Sequence, residues 1–195
     1  MPVIDIIRTM LHIIAGVELV LCWVAWSLVF VKARRRAAGQ RKVVRAPTSM
    51  WGIVLQTLGF AFVCAYIRPA GFEKSWPSLV ASMILGPPSV ALAWSATRHL
   101  GKQWRYEAAL SEDHKLIQTG PYRWIRHPIY ASMLGMLLAT GAGWTWWPML
   151  VAALVVFLVG TEIRVRAEDR LLGERFREEI TAYHSRVRAY IPFIR

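Results

Sequence analysis

Cysteine is scarce in this chain: two residues in 195, Cys22 and Cys64. Both lie inside apolar runs, with no pairing framework and no metal-ligand spacing. A disulfide-stapled fold and a zinc site are thereby excluded, and no metal is expected. Both cysteines read as small packing residues. Acidic residues are also few, 12 against 24 Lys and Arg, which leaves a net charge of +12. No recognisable nucleic-acid motif accompanies that charge, so nucleic acid is not an expected partner. The N-terminus lacks the basic n-region and small-residue cleavage site of a signal peptide, and its apolar run is too long for an h-region. Repeats and low-complexity tracts are absent.

Apolar sequence is what the chain has in excess. It is 55% hydrophobic, contains ten Trp, and has a mean hydropathy of +0.35. A bilayer core about 30 Å thick needs roughly 20 apolar helical residues to cross it. Five runs approach that length: Met10–Val31, Met50–Ile67, Trp76–Ala96, Pro128–Gly143 and Trp147–Ile163. The expected fold is therefore an all-α integral membrane bundle of about five spans. It forms one domain over 1–195, with three spans in 1–97 and a cofactor-binding, catalytic half in 98–195. The fourth run is short, either a tilted span or one arm of a hairpin with the fifth. Trp144, Trp146 and Trp147 sit between those two, where indole rings favour a membrane interface.

The basic residues are not spread evenly. Residues 32–45 hold seven Lys and Arg, 98–126 hold six, and 164–195 hold eight, which is 21 of the 24. Five spans put all three segments on one face. The positive-inside rule makes that face cytoplasmic, with the N-terminus outside and the C-terminus inside. Anionic lipid at that face is an expected partner. The membrane would be the inner or plasma membrane in a prokaryote and the endoplasmic reticulum in a eukaryote.

Two cytoplasmic segments are long enough to carry chemistry. In "TGPYRWIRHPIYASMLG", residues 119–135, a Thr119-Gly120-Pro121 turn leads to Arg126, His127 and Pro128. Proline suits the first position of a helix, because its missing N–H has no intrahelical use there. His127 then falls at the N-cap. Free backbone N–H groups and partial positive charge make that point a clamp for an anion or carboxylate. The second segment, from Arg164, reads as a continuation of the fifth helix. Leu171, Leu172, Phe176, Ile180 and Tyr183 recur at helical spacing and give an amphipathic helix lying on the protein or the headgroups. Arg164 and Glu168 share one face, as do Glu162 and Arg166. Within the spans, Glu18 and His12 are polar intruders that read as helix–helix hydrogen bonds or snorkelling ends. Gly86-Pro87-Pro88 either opens a cavity or only kinks the third run.

Together, "HKLIQTGPYRWIRHPIY", an apolar hairpin and "RVRAEDRLL…F…Y…V…YIP" resemble the isoprenylcysteine carboxyl methyltransferase family, over His114 to Pro192. These are membrane enzymes that use S-adenosylmethionine and are related to phospholipid N-methyltransferases. The resemblance implies a membrane helical bundle with a cytosolic pocket for S-adenosyl-L-methionine. It assigns His114, Gly120, Tyr122, Arg126, His127, Pro128, Tyr130 and Glu168 to that pocket, and Arg164 and Glu168 to the reacting groups. It implies a lipid-like acceptor entering from the bilayer, most directly the carboxyl of an isoprenylcysteine. A phospholipid amine or a small thiol is the alternative acceptor. The family commonly has two Glu where this chain has Glu168-Asp169, Phe-Gly where it has Phe176-Arg177, and Tyr where it has Ile180. Other readings are an NADPH-dependent membrane reductase, since some sterol reductases share an Arg-His-Pro pattern, and a lipid-binding scaffold.

The charge distribution makes a direct prediction. Reporter fusions at Gln40, Gly71 and the C-terminus should report inside, outside and inside. A cytoplasmic signal at Gly71 would break the five-span topology.

Overall fold

The computed structural model describes residues 2–38, 44–65, 69–110 and 114–190. Five helices carry the five apolar runs: α1 (Pro2–Ala37), α2 (Ser49–Cys64), α3 (Trp76–Leu100), α4 (Pro128–Trp144) and α5 (Trp147–Arg186). The protein is thus an all-α membrane bundle. Helices α1, α3 and α5 are long and apolar enough to cross a bilayer. Helices α2 and α4 have 16 and 17 residues. At about 1.5 Å per residue both fall short of a full 30 Å crossing unless the bilayer adapts. Along α1, Ile4, Ile7, Val17, Val20, Leu21 and Val24 are all at least half exposed, as lipid-facing residues are.

Helix α2 packs along α5, α3 along α4, and α1 along α3. Lipid supplies no hydrophobic drive between helices, so close contact depends on small residues and interhelical hydrogen bonds. Both are present. A Cβ on Gly160 would lie 2.8 Å from the Gly52 carbonyl, so α2 and α5 meet backbone to backbone. Gln56 Nε2 donates to Thr161 Oγ1 across the same seam at 2.8 Å. Trp23 Nε1 of α1 donates to Thr140 Oγ1 of α4 at 3.1 Å. The described parts of the three basic segments come together at one end of the bundle. A two-residue antiparallel pairing joins β1 (Val44–Arg45) to β2 (Ala109–Leu110), and the rings of Phe30 and Trp104 meet there. At the opposite end Arg8 pairs with Glu73 at 2.7 Å, and buried Lys74 donates to the Gly141 and Thr145 carbonyls that close α4.

The polar intruders take local roles. His12 Nδ1 bonds the Arg8 carbonyl at 2.8 Å, and Glu18 accepts from Cys22 Sγ at 3.2 Å on its own helix. Helix α3 continues through Pro87 and Pro88, and Gly86 seats its backbone against Glu18 and Cys22.

One expectation needs correction. The tail does not continue α5 unbroken: Arg177 has φ 41° and ψ −107°, which divides the helix. The turn there redirects the last stretch, so that Ile180, Tyr183 and Val187 pack back on Leu116, Leu172 and Phe176. A residue with a side chain is strained in that region of backbone space by about 1–3 kcal/mol, and glycine is not. Arg177→Gly should therefore raise the thermal midpoint by about 2–4 °C, the shift that roughly 1 kcal/mol produces in a chain of this size. Arg177→Ala should give no such gain. A fall in the midpoint for Arg177→Gly would show that the bend is not strained.

Candidate active site

The basic end of the bundle encloses a cavity of about 530 Å³. Its chemistry changes with depth. Toward the basic end the walls are His114, Tyr122, Arg126, His127, Glu168, Asp169 and His184. Toward the membrane they are Trp23, Trp26, Phe30, Ile53, Phe60 and Met133. Arg164 and Tyr130 stand at the junction.

The polar walls are held by the chain's own ends. Pro128 occupies the first turn of α4 with His127 as its N-cap, as the motif implied. The backbone N–H groups of Arg126 and His127 donate to the carbonyls of Arg188 and Ala189, at 2.8 and 2.7 Å. Tyr183 Oη donates to the Tyr122 carbonyl at 2.5 Å. The stretch after Arg177 is thus stitched to the Arg-His-Pro segment. Gly120 lies outside the cavity lining. Its φ is 61°, and any Cβ there would collide with the His99 ring, so it shapes the turn that presents Tyr122.

His127 is 6% exposed, and both ring nitrogens are engaged. Nδ1 lies 3.2 Å from Glu168 Oε2, and Nε2 lies 3.0 Å from Asp169 Oδ1. Burial works to lower its pKa. Hydrogen bonds and charge from Asp169 and Glu168 outweigh burial and hold the ring up at about 9. The imidazole is therefore a cation at neutral pH. Burial works to raise the pKa of Glu168 and Asp169, but His127 holds both below their ordinary values, helped by Arg164 at Glu168 and Arg126 at Asp169. Arg126 Nη1 reaches Asp169 Oδ2 at 2.8 Å, and Tyr130 Oη donates to Glu168 Oε1. His114 is pushed down to about 4 by burial and by Arg175 and Arg105, so it is neutral.

Arg164 is different. It is 6% exposed, yet its bonds go to neutral acceptors. Nη1 donates to Gln56 Oε1 at 2.8 Å and Nη2 to the Tyr106 carbonyl at 2.6 Å. Its guanidinium carbon lies 4.9 Å from the Tyr130 ring centre, a cation–π distance. Among the described residues no carboxylate lies within 4.0 Å of it. The buried Nε atoms of Arg164 and Arg126, and His184 Nε2, have no hydrogen-bond partner. Among the described residues, Arg126 and His127 pair with Glu168 and Asp169, whereas Arg164 makes no ion pair, although its charge acts on Glu168. Its positive charge therefore stands without a carboxylate in contact, at the mouth of the apolar chamber.

Sequence reasoning brought together His114, Tyr122, Arg126, His127, Pro128, Tyr130, Arg164 and Glu168, all of which line this cavity. The i,i+4 spacing does put Arg164 and Glu168 on one face, but Arg164 reaches past Glu168 to α2. The Glu162–Arg166 pair forms as expected, at 2.7 Å. Sequence reasoning missed Gln56, Trp23, Trp26, Asp169 as a working residue, and His184. For Gln56 a signal existed: it is an amide in the middle of an apolar run.

The fold and the site together define an integral membrane helical protein with a charged pocket opening onto an apolar chamber. Residues 80–174 match the isoprenylcysteine carboxyl methyltransferase family. That stretch starts in α3, earlier than the quoted motifs, and ends inside the tail, before Arg177. The chain is 32% identical over 93 residues to the protein-S-isoprenylcysteine O-methyltransferase of Saccharomyces cerevisiae, covering 42% of this chain and 34% of the yeast protein. It is 30% identical over 108 residues to the uncharacterised protein YpbQ of Bacillus subtilis, covering 52% of this chain and 59% of YpbQ. The chain thus spans about a third and about three-fifths of these two relatives.

The His127 geometry sets a pH dependence. A raised folded-state pKa means that the cation contributes stability in full below about 6.5, the ordinary histidine value, and loses it as pH rises through about 9. A shift of that size is worth about 3 kcal/mol. The thermal midpoint should fall on alkalinisation through about pH 9 more steeply in wild type than in His127→Gln. Parallel curves for the two proteins would show that the ring is neutral in the fold.

Proposed function

We propose that this chain is an S-adenosylmethionine-dependent methyltransferase acting on the carboxylate of a lipid-like acceptor of the isoprenylcysteine type. The observation that carries the reading is the charge of Arg164, without a carboxylate in contact and poised between a polar pocket and an apolar chamber. A guanidinium can take a carboxylate with two parallel bonds. Its Nε is buried and unpartnered, so a donor is available. The acceptor's tail would lie among Trp23, Trp26, Phe30 and Phe60, reached from the bilayer.

The residues present fit the methyl donor. S-adenosylmethionine is a zwitterionic amino acid with a cationic sulfonium and an adenine, and when bound it supplies an electrophilic methyl group. Arg126 offers a buried, unpartnered N–H to a carboxylate, and Glu168 offers negative charge to an amino group or sulfonium. Tyr122, Tyr130, Pro128 and neutral His114 offer aromatic and apolar walls. His127 contributes through its two carboxylates, whose ionised form and direction it fixes. Methyl transfer to a carboxylate needs alignment and exclusion of water more than a base, since the nucleophile is already ionised. A phospholipid amine or small thiol would instead have to lose a proton. The basic end of the bundle then faces the cytosol, where anionic lipid headgroups meet Lys32 to Arg36.

Calorimetry on detergent-solubilised protein is the first test: S-adenosylhomocysteine should bind and NADPH should not. The reverse result would make the chain a reductase, and binding of neither would leave a lipid scaffold. Arg164→Lys should lower methyl transfer to N-acetyl-S-farnesylcysteine severely, because a point charge cannot span Gln56 and Tyr106, with little change in S-adenosylhomocysteine affinity. Glu168→Gln should weaken both. Arg123, exposed and stacked on Trp124, is the control. Normal turnover in both variants would sink the assignment.

A further inference from the structure

Gln56 lies on α2, outside the stretch that matches the family, and is 2% exposed. Its amide is oriented from both sides. A guanidinium has no acceptor, so Oε1 must face Arg164 Nη1, at 2.8 Å. That leaves Nε2 for Thr161 Oγ1, also at 2.8 Å. The backbone makes room for this arrangement. A Cβ on Gly52 would overlap the Arg164 stem and lie 2.6 Å from the Gly160 carbonyl. Helices α2 and α5 therefore meet backbone to backbone where the Arg164 side chain crosses, and Gln56 is the polar group they enclose with it.

The choice of residue type matters as much as the contact. Glutamate has nearly the same shape and would form a buried ion pair with Arg164. Glutamine holds the same fork and leaves the charge uncancelled. The other contacts of the guanidinium, the Tyr106 carbonyl and the rings of Tyr130 and Tyr106, are also neutral. A buried cation whose direct contacts are all neutral is costly, and an anion that reaches it recovers part of that cost.

We propose that Gln56 is a positioning residue that sets the charge selectivity of the acceptor site: it aims Arg164 while leaving its positive charge to an anionic head group. The inference rests on reading this cavity as the acceptor site. It makes the head's charge, and not only the tail's fit, what the site selects.

The test compares two ligands with one tail. N-acetyl-S-farnesylcysteine is anionic and its methyl ester is neutral. In lipid nanodiscs, wild type should bind the acid at least about tenfold more tightly than the ester, as expected for a charge-assisted pair. Gln56→Glu keeps the volume and both partners but neutralises Arg164, so the ratio should collapse to near one. S-adenosylhomocysteine affinity and thermal midpoint should be kept. A purely structural role for Gln56 would move the midpoint and leave the ratio alone. Gln56→Met, which cannot accept from Arg164, serves if the glutamate variant does not fold. There the acid should weaken severalfold while the ester is unchanged. An unchanged ratio in Gln56→Glu, unchanged acid affinity in Gln56→Met, or no preference in wild type would overturn the proposal. A preference that Gln56→Glu abolishes, in a protein that never methylates the acid, would uphold it and refute the methyl-transfer reading instead.

Discussion

A protonated imidazole sits inside this bundle because two carboxylates grip its two nitrogens. Removing a charge from water costs several kcal/mol even after relaxation, and only close, well-directed partners offset it. His127, Glu168 and Asp169 satisfy that condition at 3.0 and 3.2 Å. The consequences are structural before they are chemical. His127 caps α4, and the two carboxylates stand on α5 just past its apolar run. The ion cluster thus sets how the shorter helix starts against the longer one. The backbone of the same histidine is taken by Ala189, which draws the chain's last described stretch over the site.

From that cluster a polar seam runs through the protein. Arg126 bonds Asp169, Asp169 and Glu168 hold His127, and Glu168 accepts from Tyr130. The Tyr130 ring lies under Arg164, which bonds Gln56, which bonds Thr161. The seam crosses the 120s segment, α4, α5 and α2. Each link fixes the rotamer of the next, so the side chains at the charged end of the cavity hold one another in place. Such networks hold geometry at the expense of stability, and a partly satisfied one is worse than an apolar core. Within the seam, the buried Nε atoms of Arg126 and Arg164 have no hydrogen-bond partner, and both residues line the cavity. They mark the edge where the seam meets the ligand space.

The helices were legible from the sequence because a bilayer imposes length and composition together; five runs approach that demand, and α1, α3 and α5 meet it in full. The cap at His127 and Pro128 was legible for a local reason: proline's missing N–H has one natural place in a helix. What was not legible depended on partners far away in sequence. Arg164 and Glu168 could be placed on one face, but nothing in the tail says that Arg164 turns to a glutamine 108 residues earlier and to a backbone carbonyl in the 106 loop. Asp169 looked like a mild change from glutamate, and only its position opposite His127 and Arg126 shows what it holds. The bend at Arg177 left no trace, since arginine is a good helix former and gives no sign of a positive φ.

The division of the site between matched and unmatched sequence carries a last consequence. Residues 80–174 contain Arg126, His127, Arg164, Glu168 and Asp169, the whole charged cluster, together with Tyr130. Trp23, Trp26, Phe30, Gln56 and Phe60, which wall the apolar chamber and aim Arg164, all precede that stretch. The family match thus covers the charged end of the cavity and leaves these five residues of the apolar end outside it. A pocket for a common methyl donor must meet the same functional groups in every member. A chamber for the acceptor must differ wherever the acceptor differs; on the proposed reading, Trp23, Trp26 and Phe30 of α1 with Gln56 and Phe60 of α2 would shape it beside the charge that Arg164 of α5 supplies.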